Sequence, residues 1–361
     1  MGFAVAALVA IRLALLAGAR PEPQVPCLFI FGDSLVDNGN NNGLLTLSRA
    51  NYMPYGVDFP QGVTGRFTNG RTTVDIIAQL LGFRRFIPAY ATARTQDLVV
   101  GANYASGASG IRDETGMNLG DHVSMNQQVQ NFARTARRLT RLFGGNSSYA
   151  GEYLSRCIFH VGMGSNDYLN NYFMTNVYDT STRYTTRSYA ASLIRDYSAQ
   201  LTRLYDLGAR KVVVTAIGQI GCIPYELSRL SRNGSECVGN INRAVQMFNA
   251  GLRNLVTRFN RRLPDACFVF FNSYFAFQDL LDNSGYYGFS VTDRGCCGVG
   301  RNNGQLTCLP FQQPCEDRES YLFWDAFHPT EAANVILARK SYSSPSANEV
   351  YPMNIQQLAR S

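Results

Sequence analysis

Lysine is almost absent from this chain. Lys211 and Lys340 are the only two, so the net charge of +7 rests on arginines scattered along 361 residues. The densest groups, Arg134, Arg137, Arg138 and Arg141, then Arg258, Arg261 and Arg262, recur at helical spacing and read as solvated helix faces. A nucleic-acid partner requires a basic stripe together with a reading module, and no such module is present. What the charge does suit is weak association with an acidic cell-wall polysaccharide. Long apolar runs are missing beyond residue 19, and a stable membrane span needs about 20 such residues. No Pro/Ser/Gly-rich linker or block of charge divides residues 20–361, which therefore read as a single domain. A hydrophobic share of 45% against a charged share of 16% excludes a disordered chain.

The one apolar stretch lies at the start. Residues 1–19 end in Ala17-Gly18-Ala19 and precede a proline-rich segment, which fits a secretory signal cleaved after Ala19. Arg12 is atypical there, because it sits inside the apolar core with no basic residue ahead of it; the same arginine breaks any membrane anchor. Nine cysteines suit the oxidising compartment such a signal leads to. Cys222 is expected to pair with Cys237, and two bridges are expected among Cys296, Cys297, Cys308 and Cys315. Zinc is the rival for that late group, which lacks the usual C-x2-4-C spacing. The odd count leaves a free thiol at Cys27, Cys157 or Cys267. Asn146-Ser147-Ser148 and Asn233-Gly234-Ser235 are acceptor triplets for glycans, so Asn146 and Asn233 are expected on the surface.

Along the chain, short wholly apolar runs at 27–31, 98–105, 157–161, 211–217 and 267–271 read as strands. Between them run helical patterns at 72–81, at 124–143 (Met125, Val129, Phe132, Ala136, Leu139) and along Leu193, Tyr197, Leu201 and Leu204. The clearest stripe is Ile241, Val245, Phe248, Leu252, Leu255 and Phe259, closed by Pro264. Residues 282–314 read as a long Gly/Cys loop, and 325–329 opens a final helix carrying Ala332, Val335, Ile336 and Leu337. Helices alternating with apolar strands give an α/β chain with a parallel sheet covered on both faces.

The first strand is cut by Gly32 and followed by Asp33-Ser34-Leu35 and an Asn/Gly cluster, so a serine falls at a strand's carboxyl end, where open α/β sheets bind ligands. Asp33, Ser34 and Asn38 are equally ordinary turn residues. A serine hydroxyl needs a base to become a nucleophile, and the sequence offers three histidines. His160 falls mid-strand and reads as a core residue; His122 precedes a helix and reads as a cap or surface residue. His328 lies three residues after Asp325, a spacing that lets the carboxylate fold back on one ring nitrogen and leave the other as base. The same string, with Pro329, also suits a helix start. Gly107, with its backbone N–H, and Asn166, with its amide, follow strands two and three; either suits an oxyanion site, and either suits a turn. The elbow G-x-S-x-G is absent because Val36 replaces its second glycine. Asn38, Asn40, Asn42 and Gly43 imitate a calcium loop, but Arg49 stands where its bidentate Glu belongs. No metal and no organic cofactor are expected.

Four blocks in order, Gly32-Asp33-Ser34-Leu35, Asn103-Tyr104-Ala105-Ser106-Gly107, Gly164-Ser165-Asn166-Asp167 and Asp325-Ala326-Phe327-His328-Pro329, resemble those of the GDSL esterase/lipase family of SGNH hydrolases. Asn38-Gly39-Asn40-Asn41, Gly65-Arg66-Phe67-Thr68-Asn69-Gly70-Arg71 and Ile220-Gly221-Cys222-Ile223-Pro224 resemble its plant branch. The resemblance implies a three-layer, flavodoxin-like α/β/α sandwich around a five-stranded parallel sheet. It implies Ser34 as nucleophile, His328 as base, Asp325 orienting it, and Ser34 N–H, Gly107 N–H and the Asn166 amide as the oxyanion hole. The function it implies is a secreted, apoplastic serine esterase acting on small-molecule or polymer-bound esters, whether lipid, acetyl-polysaccharide or phenolic. Two other readings stay open on these residues: an acyltransferase using the same acyl-enzyme, and a non-catalytic binding protein on the same fold.

Overall fold

A computed structural model describes residues 22–361; the expected signal, residues 1–19, lies outside them. Eight strands are formed among the described residues: β1 (Leu28–Gly32), β2 (Gly101–Asn103), β3 (Ile158–Gly162), β4 (Lys211–Thr215), β5 (Cys267–Phe271), β6 (Val291–Gly295), β7 (Tyr321–Phe323) and β8 (Val350–Tyr351). Five helices matter for the argument: α1 (Thr73–Leu80), α2 (Met125–Leu142), α3 (Thr186–Asp206), α4 (Gly239–Arg262) and α5 (Glu331–Ser343). Their starts follow from local chemistry. Thr72 and Ser124 close capping boxes with Asp75 and Gln127, and Thr185 and Thr330 cap α3 and α5 through their hydroxyls.

The main sheet runs in the order β2-β1-β3-β4-β5-β8, with the first five strands parallel. On one side α2, α3 and α4 pack together; on the other lie α1, α5 and a short helix over Ile355–Arg360. The result is the three-layer α/β/α sandwich, its strands almost wholly buried because both faces are covered. β1 pairs with both β2 and β3, so chain order reverses beside it, and the carboxyl end of β1 is the topological switch point where such sheets bind ligands.

Four features depart from the sequence reading. The sheet has a sixth, antiparallel edge strand, β8, where Val350 pairs with Phe271; two residues are too short a run to show periodicity. The second strand is shorter than residues 98–105, because Asp97–Val99 form a 3₁₀ turn and Gly101 has φ +118°, with the Leu28 carbonyl occupying the space a Cβ would need. The long loop holds β6, which pairs with β7 in a separate two-stranded sheet. The helix after Pro329 is followed by one more, Ile355–Arg360.

Cys222–Cys237 forms as expected, the two bridges expected among the late cysteines are Cys296–Cys315 and Cys297–Cys308, and a fourth is Cys27–Cys157. That last bridge corrects the reading of Cys27 and Cys157 as free-thiol candidates; Cys267 alone is unpaired. The cause is register. Leu28 lies opposite Ile158 on adjacent parallel strands, so the residues just before them are neighbours, with Cα atoms 4.8 Å apart.

Candidate active site

Gly32 ends β1 where a Cβ would lie 2.6 Å from Val36 Cγ2 and 2.9 Å from the Gly162 carbonyl, so only glycine permits the turn. The buried Gln128 side chain holds that end from both sides, accepting from Gly32 N–H at 3.0 Å and donating to Gly32 O at 2.8 Å. The chain then winds through one tight turn in which Val36 N–H and Asp37 N–H donate to Asp33 O, and Leu35 N–H donates to Asp33 Oδ1. Ser34 stands at the head of this turn, in a cleft of about 380 Å³.

His328 reaches it from the far end of the chain. Ser34 Oγ lies 2.8 Å from His328 Nε2, across 294 residues of sequence. On the other edge of the ring, Nδ1 lies 2.8 Å and 2.9 Å from the two oxygens of Asp325. Because a carboxylate only accepts, Nδ1 carries the proton, and Nε2 accepts the hydrogen of the serine hydroxyl. The Asp325-x-x-His328 turn is built for this: Asp325 Oδ1 also accepts the N–H groups of Phe327 and His328, each at 2.8 Å. Its Oδ2 accepts the Tyr55 hydroxyl at 2.6 Å. Burial alone would push this fully enclosed carboxyl up, but the electrostatic attraction of the His328 ring and the bonds from His328, Tyr55 and Phe327 outweigh it and hold Asp325 below the usual range. Phe67 packs on the imidazole, ring centroids 5.1 Å apart. Thr330, not Asp325, caps the helix that follows, so the string serves His328 rather than a helix start.

The expected oxyanion donors divide. Asn166 lines the cleft; its amide donates to Ser109 O at 2.9 Å, which engages one of its two hydrogens and leaves the other. Ser34 N–H donates to no acceptor among the described residues. Gly107 departs from expectation: its N–H donates to Asp37 Oδ2 at 3.0 Å. The residue lining the cleft is its neighbour Ala108, at φ +68°, whose N–H has no acceptor among the described residues. Gly107 has its own steric reason to be glycine, since a Cβ would lie 2.8 Å from Phe67 Cζ and 2.9 Å from Asn41 Nδ2.

The Asn/Gly cluster is a clasp rather than a solvated turn. Asn40 Nδ2 donates to Asn103 O and Ala105 O, Asn41 Nδ2 donates to Gly107 O, and Asn103 Nδ2 donates to Val36 O, so the loops after β1 and β2 are tied together. Asp37 organises the same joint by accepting from Gly39, Asn40 and Gly107; burial raises its carboxyl to about 6 against those bonds. Asp37, Tyr55 and Ala108 were not legible as site residues, because nothing in their spacing marks them. The remaining histidines stand apart. His122 is half-buried ahead of the Ser124 cap, and His160 is buried in β3, its Nε2 3.3 Å from Thr215 Oγ1. Asn146 and Asn233 are both exposed. No helix among the described residues is long and apolar enough to cross a membrane.

A serine, an imidazole and a buried carboxylate are hydrogen-bonded in series at the carboxyl ends of a parallel sheet and beside unengaged amide donors, the arrangement that hydrolysis through a serine requires of an α/β/α fold. Comparison with known proteins narrows the class. The chain belongs to the GDSL-like Lipase/Acylhydrolase family, whose model matches residues 28–341. Among its relatives in Arabidopsis thaliana, GDSL esterase/lipase At1g33811 is 60% identical over 94% of this chain and 92% of its own length. GDSL esterase/lipase At1g29670 is 55% identical over 95% and 93%, and GDSL esterase/lipase At5g45670 53% identical over 94% of each. The protein is a carboxylic ester hydrolase.

Proposed function

We propose that this hydrolase works through an acyl-enzyme on Ser34. His328 Nε2 takes the hydroxyl proton as Ser34 Oγ attacks the ester carbonyl, then gives that proton to the departing alcohol. Water attacks the acyl-enzyme by the same route in reverse, and the acid leaves. Asp325 keeps the Nδ1 proton in place and stabilises the imidazolium that forms between these transfers. The developing oxyanion is received by Ser34 N–H, the second hydrogen of the Asn166 amide, and the Ala108 N–H. We assign the third donor to Ala108 instead of Gly107 because the Gly107 N–H is engaged by Asp37 while the Ala108 N–H is not.

The observation that carries this reading is the 2.8 Å contact between Ser34 Oγ and His328 Nε2. Replacing Ser34 by Ala is expected to lower kcat on a p-nitrophenyl ester by about 10⁶-fold, the loss typical of a removed serine nucleophile. A fluorophosphonate probe is expected to label the native protein at Ser34. Hydrolysis retained in Ser34→Ala overturns the assignment.

Export through the 1–19 signal is part of the same proposal. It is supported by four disulfides and by exposed acceptor asparagines at 146 and 233, where glycans would meet no obstruction. In an apoplastic setting the arginine-derived charge would favour weak, salt-sensitive retention on acidic polysaccharide, checked by retention on an anionic against a neutral matrix.

A further inference from the structure

A second cavity, of about 130 Å³, opens beside the cleft at the carboxyl ends of β3 and β4 and runs between them and helices α1 and α5. Asp33, Leu35, Ser165, Ile220, Ile223 and Phe327 line both spaces, so the cavity begins on either side of the Ser34 turn. Its walls are mostly hydrocarbon, supplied by Val36, Ile77, Ile217, Phe277, Phe323 and Leu337. His160 also faces it. Burial pushes that imidazole down to about 4, so the ring is uncharged at neutral pH and does not disturb an apolar lining.

We infer that this cavity is the acyl-binding site and that it takes an acyl chain of medium length. The inference rests on the acyl-enzyme reading above. Two observations choose the acyl group over the alcohol. The cavity is lined by both neighbours of Ser34 but not by His328, whereas the alcohol must depart on the side of the imidazole that protonates it. His328, Tyr55 and Phe67 line only the wider cleft, which leaves that space for the alcohol. Size sets the length. An apolar cavity of about 150 Å³ holds benzene, so this one holds roughly six carbons.

For p-nitrophenyl esters from acetate to dodecanoate, kcat/KM is expected to climb by up to about fourfold per methylene, the gain for burying one CH₂, until roughly the hexanoyl ester, and then to level. Two variants fill the cavity. At Gly218, which lines it, a Cβ would meet nothing within 4 Å, so Gly218→Leu starts its side chain in open space. Ala338→Leu fills it from α5. Gly218→Leu is expected to lower the hexanoyl-to-acetyl rate ratio tenfold or more, and Ala338→Leu to do the same.

A flat chain-length profile in the parent protein overturns the inference, as does a Gly218→Leu protein with an unchanged hexanoyl-to-acetyl ratio. A climb that follows the alcohol in alkyl acetates, and not the acid in methyl alkanoates, overturns the choice of occupant. Each of these leaves Ser34 chemistry standing. Failure of that chemistry is separate, and is read from acetyl ester hydrolysis by Ser34→Ala.

Discussion

Tyr55→Phe removes one hydroxyl and keeps the ring among its neighbours Tyr52, Phe67 and Trp324. The lost bond is the 2.6 Å donation to Asp325 Oδ2, and Asp325 is fully buried, so water does not replace the donor. A hydrogen bond to a charged group contributes about 1.5–3 kcal/mol, and the unfolding free energy at pH 7 is expected to fall by that amount. The pH dependence separates charge from packing. Asp325 is held below its ordinary value in the folded protein, so its contribution is fully present above the unfolded carboxyl pKa, near 3.9, and is lost as pH falls through the folded value. Tyr55 supplies part of that lowering; without it the folded value moves up, and the difference between the two proteins shrinks towards acid. Chemistry should suffer less. His328 Nδ1 keeps both Asp325 oxygens, and the Asp325 turn keeps its two backbone donors, so kcat should drop by no more than about tenfold, a small part of the effect of removing a triad member. Urea unfolding of both proteins from pH 3 to pH 8, beside ester hydrolysis at pH 7, makes the test. Equal stability at pH 7, or a deficit as large at pH 3 as at pH 7, refutes the reasoning.

Two further outcomes are expected. Alkylation of the unfolded, unreduced protein should mark Cys267 and no other cysteine, since the other eight are paired; peptide mass spectrometry reads this, and modification of Cys27 or Cys157 removes the bridge between β1 and β3. Glu226 is buried, neither of its oxygens has a hydrogen-bond donor among the described residues, and burial raises it to about 7 against the attraction of Arg229, 3.6 Å away. The folded state therefore holds a proton there that the unfolded chain releases near the ordinary glutamate value, and stability should fall as pH rises through 7. Glu226→Gln should flatten that decline, as measured by thermal unfolding between pH 5 and pH 8.5, and an unaltered slope counts against it.

What the sequence disclosed follows from the range of each interaction. Periodicity is local, so α2 and α4 were readable from Met125, Val129 and Phe132 and from Ile241, Val245 and Phe248, as were the five parallel strands. Asp325 and His328 were readable as a pair because three residues and one turn separate them. The 294-residue approach of Ser34 to His328 follows only from the order of four motif blocks, since no local rule brings those segments together. The Cys27–Cys157 bridge was hidden for a related reason: it depends on which strands are neighbours, and a parallel sheet's order is not written in any single strand.

The proposed oxyanion site shows the limit most clearly. Sequence marks Gly107 because a glycine can offer its N–H where a side chain would obstruct, yet that N–H is turned to Asp37 and the missing side chain makes room for Phe67. The unengaged N–H belongs to Ala108, an alanine held at φ +68°, a conformation that costs about 1–3 kcal/mol in a residue with a Cβ. Such strain persists only where the surroundings over-determine it, and here they do. Asn41 Nδ2 fixes the Gly107 carbonyl just before Ala108, Asp37 fixes the Gly107 amide, and the Ser109 N–H just after donates to Ser106 O. The residues holding Ala108 in place come from a segment some 70 positions earlier in the chain. The same clasp that joins the loops after β1 and β2 therefore holds Ala108 against the cleft that also contains Ser34, and no inspection of residues 103–110 alone could have distinguished the glycine that fits from the alanine that faces the cleft.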